Sequence, residues 1–211
     1  MTARGVDVDA LPLPLVAILR GLDPASAADV GRTLFDAGFR MLEVPLNRPG
    51  AIEAMRVLLE VAPLDAIVGG GTMLSIVDVE AVRLAGGRLF VAPNMNPAVI
   101  AHARAAGMLC APGVATPTEA FAALEAGAHV LKLFPAEAIG PAGLKAMASV
   151  LPAGTPLWPV GGVTPEQLGA WKKAGAGGAG IGSGLFTPGV APGVLAERAA
   201  AYVAAWRAAG G

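Results

Sequence analysis

The strongest constraint on this chain is a rhythm. A short apolar run, a turn, an alanine-rich helical stretch and, often, a closing glycine recur eight times in succession. The apolar runs span 15–19, 41–46, 66–70, 88–92, 108–112, 129–134, 156–160 and 178–182. Between and after them lie helical stretches near 24–37, 51–61, 75–85, 96–106, 117–126, 141–149, 165–174 and 192–208. Short apolar runs bounded by turn signals read as strands covered on both faces, the habit of parallel sheets. Several helical stretches open with a capping residue or glycine followed by proline, as in Asp23-Pro24, Asn96-Pro97, Thr116-Pro117, Gly140-Pro141 and Thr164-Pro165. Several close at glycine: Gly38, Gly107, Gly127 and Gly175. Eight strand–helix units predict an α/β chain forming one (β/α)8 barrel of the TIM type over residues 1–211, with 1–13 as a loose, Pro-interrupted lead-in. The alternative is a doubly wound open sheet. That fold usually carries a dinucleotide fingerprint in its first unit, and Leu19-Arg20-Gly21-Leu22 is not one.

Bulk properties narrow the function classes. With 15 basic and 16 acidic residues there is no charge excess to recommend nucleic acid or an anionic membrane. Although 55% of residues are hydrophobic, much of this is alanine, and no run approaches the ~20 residues of a membrane span. The polar N-terminus lacks the long apolar core of a signal peptide, and the single cysteine, Cys110, has no internal partner for a disulfide. The expectation is a cytoplasmic protein in which Cys110 is a buried small hydrophobe.

Against this apolar background two strand positions stand out. In His129-Val130-Leu131-Lys132-Leu133-Phe134-Pro135, period-2 geometry puts Val130, Lys132 and Phe134 on one face and the leucines on the other. A lysine in a strand covered on both faces must be paired or deprotonated, and a lysine of depressed pKa is the nucleophile a carbonyl substrate needs to form a Schiff base. The other three lysines, Lys145, Lys172 and Lys173, lie in helical stretches; the alternative for Lys132 is a lysine that ends an edge strand or snorkels to the surface. In Met41-Leu42-Glu43-Val44-Pro45-Leu46, the apolar residues would face the helices and Glu43 the barrel interior. A glutamate facing a lysine across a barrel mouth suits acid/base work on a carbinolamine; a structural ion pair is the alternative.

The active site of such a barrel lies at the C-terminal strand ends. Gly161-Gly162 and Gly182-Ser183-Gly184 end the seventh and eighth strands, where backbone amides commonly hold a phosphate. Arg20 ends the first strand and could grip a substrate carboxylate in a bidentate fork, or equally be a surface arginine in a strand-to-helix loop. Gly69-Gly70-Gly71-Thr72 reads as a tight turn with a hydroxyl for the substrate at Thr72. The two histidines, His102 and His129, lack ligand spacing and there is no Cys/His cluster, so no metal and no other cofactor are expected.

With these residues in view, the sequence resembles the class I 2-keto-3-deoxy-6-phospho-sugar-acid aldolases over nearly its whole length. The stretches that carry the resemblance are Val16-Ala17-Ile18-Leu19-Arg20-Gly21, Leu42-Glu43-Val44-Pro45-Leu46-Asn47, Gly71-Thr72, Ala92-Pro93-Asn94, Leu131-Lys132-Leu133-Phe134-Pro135 and Val160-Gly161-Gly162-Val163-Thr164-Pro165. The resemblance implies that Lys132 forms the Schiff base and Glu43 shuttles protons. It further implies that Arg20 and Thr72 hold the pyruvate portion, Pro93 lines the site, and Gly161, Gly162, Gly182 and Ser183 hold the phosphate. Such enzymes are metal-free and usually homotrimeric, acting on a small phosphorylated keto-sugar acid. The family has two branches that differ in the configuration of the substrate at C4. The gluconate branch typically has arginine where this chain has Asn47 and threonine where it has Val160; the galactonate branch matches this chain at both. With no arginine at 47, the carboxylate falls to Arg20 or, one residue along, to Arg48. The same reaction on the gluconate-type C4 epimer is the alternative within the family; two readings outside it remain in view, a phospho-sugar isomerase or epimerase and a non-catalytic phosphate-binding barrel. Neither needs both Lys132 and Glu43.

Overall fold

The computed structural model describes residues 13–209. Its strands are β1 (Leu15–Ile18), β2 (Met41–Pro45), β3 (Ile67–Gly71), β4 (Leu89–Val91), β5 (Leu109–Ala111), β6 (Gly113–Val114), β7 (Leu131–Leu133), β8 (Leu157–Pro159) and β9 (Ala179–Ile181). The helices are α1 (Pro24–Asp36), α2 (Ala51–Val61), α3 (Ile76–Leu84), α4 (Pro97–Ala105), α5 (Pro117–Glu125), α6 (Ala136–Ala148), α7 (Pro165–Lys173) and α8 (Pro192–Ala208). All strand pairs are parallel. A six-stranded sheet runs β5-β4-β3-β2-β1-β9 and a three-stranded one β6-β7-β8. The sheets meet at two places. On one side β5 and β6 flank Pro112, whose carbonyl accepts from Lys132 N at 3.0 Å; on the other a bridge pairs Val160 with Gly180.

The run expected as one strand over 108–112 holds β5 alone; β6 follows beyond Pro112, which has no N–H to give the ladder. The lead-in expected over 1–13 lies outside the described residues except for Leu13, which is buried. Helix α6 starts earlier than expected. A first turn at Ala136 is broken at Gly140 (φ 68°, ψ 169°), and Pro141 opens the second segment, where the sequence places a helix start.

Period-2 alternation sorts the strand residues into two cores. Val16, Met41, Ile67, Leu89, Val91, Leu109, Ala111, Val130 and Trp158 pack together on one face. Their strand neighbours Ala17, Leu42, Val68, Phe90, Cys110, Leu131 and Leu157 join the larger core beneath the helices. Both faces being covered explains why the strands are so apolar. Cys110 is fully buried and burial pushes its thiol up to about 12, as suits an inert hydrophobe.

Capping follows the sequence signals. Asp23 and Asn96 accept from Ala25 N and Ala98 N, and Ser75/Asp78, Thr116/Glu119 and Thr164/Gln167 form capping boxes. The last helix buries Leu195, Ala199, Tyr202, Val203 and Trp206, one stripe of a 3.6-residue period. Lys172 holds this helix to α7, donating to the Trp206 carbonyl at 3.2 Å with its ammonium 4.6 Å from the indole centroid. Among the described residues no helix is long and apolar enough to cross a membrane.

Candidate active site

Only two charged side chains are buried among the described residues, Glu43 at 2% exposure and Lys132 at 8%. Each is the central residue of its strand, and both line one small void with Val16, Ile18, Val91, Ala111, Trp158, Val160 and Gly180. The sequence placed them on one interior face, and that is where they are. They are not in ion-pair contact, so a reacting group has room between them. The Lys132 ammonium stands 5.0 Å from the Phe134 ring centroid.

Their surroundings shift both groups toward the neutral form. Burial raises the Glu43 carboxyl to about 7, against the opposing pull of the Lys132 and Arg20 charges. Burial lowers the Lys132 amine, with Arg20 adding to the effect and Glu43 opposing it. One oxygen of Glu43, Oε2, has no hydrogen-bond partner. A buried acceptor without a partner normally costs about 1–3 kcal/mol, which marks this oxygen as a candidate for contact with a reacting group.

Beyond this pair opens a cavity of about 430 Å³, sharing Ile18, Val160 and Gly180 with the void below. Gly161, Gly162, Gly182, Ser183 and Gly184 line it, and Arg20 is the only cationic side chain in its wall. Gly161 and Gly162 have φ of 113° and 64°, a backbone that turns amides outward and that only glycine adopts without strain. Among the described residues the amides of Gly162, Ser183 and Gly184 donate to no protein acceptor. The stretch after β9 is a single turn, with Leu185 N and Phe186 N both donating to the Gly182 carbonyl. Val160 lies at the junction of cavity and void.

The family model for KDPG and KHG aldolases matches residues 8–193. The chain belongs to that aldolase family. It is 46% identical over 196 residues to the 2-dehydro-3-deoxy-6-phosphogalactonate aldolase of Escherichia coli (strain K12), covering 92% of this chain and 95% of that protein. It is 36% identical over 166 residues to the 2-dehydro-3-deoxy-phosphogluconate aldolase of Zymomonas mobilis, 78% of each chain. A solved structure described as native KDPGal superposes with a TM-score of 0.92 at 44% identity, covering 94% of this chain and 96% of that one.

The other residues of this aldolase singled out from sequence divide by position. Arg20 is exposed, and its Nη1 donates to Asn47 Oδ1 at 2.9 Å. Arg48 instead lines a separate surface cleft with Glu53 and Asp78. Pro93 is partly buried just past β4. Thr72 is partly buried and has φ of 54°, the left-handed region; no other described non-glycine residue has a positive φ. Such strain in a threonine persists only where surrounding structure fixes it. Neither histidine gathers a metal set: His102 contacts Glu80 and His129 accepts from Cys110 N.

The expectation of a tight turn at Gly69–Gly71 is wrong. These glycines complete β3. They are glycines because neighbours come too close for a side chain: Gly69 lies on the Leu89 backbone, and a Cβ on Gly71 would overlap the Glu43 carboxylate. Gly71 is not among the site residues expected from the sequence, where it stands out only as part of the Gly71-Thr72 stretch of the family resemblance. Its role depends on Glu43, from the adjoining strand. Gly71→Ala should therefore displace the Glu43 carboxylate and lower kcat by about 10²-fold. Comparing kcat with the thermal midpoint of the variant checks this; a folded variant with parental kcat would show that the carboxylate has room to move without consequence.

Proposed function

We propose that this chain is a class I aldolase that cleaves 2-dehydro-3-deoxy-6-phosphogalactonate to pyruvate and glyceraldehyde 3-phosphate. The observation that carries the proposal is the pair of buried, neutral-shifted groups, Lys132 and Glu43, at the inner end of a cavity walled by glycine amides. As a free amine Lys132 attacks the C2 ketone, and Glu43 moves the protons by which the carbinolamine loses water. The protonated imine then draws the C3–C4 bonding pair into an enamine as Glu43, through a water, takes the C4 hydroxyl proton. The aldehyde leaves first. Protonation of C3 and hydrolysis of the imine release pyruvate and regenerate the amine. Apart from the covalent lysine, the reading calls for no cofactor and no metal.

Arg20 and Thr72 are read as holding the keto acid, with Pro93 lining the site and Asn47 keeping the Arg20 fork in place. Lining a different cleft argues against Arg48 for this task. Gly161, Gly162, Gly182 and Ser183 are read as the phosphate cradle. Val160 stands between cradle and catalytic pair, where the C4 region of a bridging substrate would lie, and its methyls cannot donate to a C4 hydroxyl as a threonine would. We further infer that the two sheets form one closed (β/α)8 barrel in a single domain, supported by the continuity through Pro112 and the Val160–Gly180 bridge. Exposed Leu74, Ile76 and Val77 support burial against other copies in a homotrimer.

The test is kcat/KM for the two C4 epimers. The galactonate compound should be preferred by about tenfold or more, the discrimination expected from one hydroxyl contact. A preference for the gluconate epimer would remove the roles given to Asn47 and Val160 while leaving the aldolase chemistry in place.

A further inference from the structure

Tyr202 is the one tyrosine of the chain, on the buried stripe of α8. Its hydroxyl donates to the Val163 carbonyl at 3.0 Å. The same hydroxyl lies so close to Gly184 that a Cβ on that glycine would overlap it. Val163 directly follows Gly161-Gly162, and Gly184 follows Gly182-Ser183, and all line the large cavity. Tyr202 does not line the cavity and is only 2% exposed. One buried side chain therefore touches both glycine loops from behind. One turn earlier on α8, Arg198 Nη1 reaches the Leu185 carbonyl at 3.5 Å, at the end of the second loop.

Each loop alone is poorly determined. Glycine-rich backbone has the most conformational freedom to lose, and amides that must converge on one anion bind it well only if their spacing is fixed beforehand. We propose that Tyr202 is a positioning residue for substrate phosphate: its hydroxyl sets the spacing between the Gly161–Val163 and Gly182–Gly184 loops. This rests on reading those loops as the phosphate cradle. Gly184 takes part because a side chain there would push the hydroxyl away, so the glycine serves the loop's support as well as its inner surface.

A tyrosine that merely filled the core would affect stability and leave ligand selectivity alone, which gives the test. Tyr202→Phe keeps the ring and removes the hydrogen bond. Three constants are measured: KM for the phosphorylated keto acid, Ki for inorganic phosphate, and the pyruvate concentration giving half-maximal borohydride trapping. The first two should rise about three- to tenfold, the loss of one buried hydrogen bond, while the pyruvate value moves within about twofold. Gly184→Ala, with the tyrosine intact, should give the same pattern, and it carries the test if Tyr202→Phe does not fold. Three constants moving together, or none moving in variants with parental thermal midpoints, would overturn the proposal. A parent enzyme that inorganic phosphate does not inhibit would overturn the cradle reading itself, and that is seen before any variant is made.

Discussion

Lys132→Met should lower turnover by at least about 10⁴-fold, the scale on which a covalent nucleophile is lost, and leave the protein as stable as the parent or more so. The two halves of this result come from the same fact. The amine is buried without an ion-pair partner, and burial disfavours its charged form. Methionine has similar length and no charge to desolvate, and such replacements in apolar surroundings are commonly neutral or stabilising. Glu43 would lose a cation that holds its pKa down and would stay protonated at neutral pH, so no unpaired buried charge is left behind. The check is borohydride reduction with pyruvate followed by peptide mass mapping, beside rates on the phosphorylated substrate. The parent should carry one adduct, on Lys132, and the variant none. Lys145 and Lys173 are exposed and Lys172 is bound to Trp206, so none is prepared to act in its place. An adduct on one of them in place of Lys132 would reassign the nucleophile, and a parent that is folded but never labelled would sink the imine mechanism and leave a phosphate-binding barrel.

Much of this site was legible because the alternation of strands and helices places the strand ends on one side of the sheet. Once Glu43 and Lys132 were read as facing inward, their meeting required no further information than the period of a strand. What escaped were roles assigned by contacts between distant residues. Gly69-Gly70-Gly71 has the composition of a turn, and only the Glu43 carboxylate and the Leu89 backbone beside it explain why a strand there must be glycine. Asn47 reads from sequence as a branch-specific position, and only the structure shows that it binds Arg20, 27 positions away. Nothing in the sequence marks Tyr202 for this site, because periodicity reports which face is buried and says nothing of what a buried hydroxyl meets. The choice between Arg20 and Arg48 also lay beyond the sequence: the two follow different strands, and Arg20 lines the cavity while Arg48 lines the Glu53–Asp78 cleft.

Glu43→Gln should separate proton transfer from imine formation. Glutamine keeps the shape and cannot accept a proton, so cleavage should fall about 10²- to 10⁴-fold, the range for a general acid–base group. Lys132 would lose the carboxylate that favours its ammonium form, so more of it would be free amine, and trapping with pyruvate should persist, though more slowly. The variant should also change how stability depends on pH, in a direction fixed by the shift. Glu43 is raised from 4.5 to about 7 in the fold, so the neutral carboxyl contributes stability fully below pH 4.5, and this is lost as pH rises through 7. Glutamine has no proton to lose. Its advantage over the parent should therefore be least near pH 4.5, grow toward pH 7 and level off above it, reaching about 3 kcal/mol at most. Denaturant unfolding of both proteins across that range measures it. A constant difference would mean that Glu43 ionises in the fold as it does in water, and a carboxyl of that kind would be a poor proton shuttle at neutral pH. Loss of both trapping and cleavage in a folded variant would instead make Glu43 indispensable to the imine itself, and the two steps could no longer be assigned to different groups.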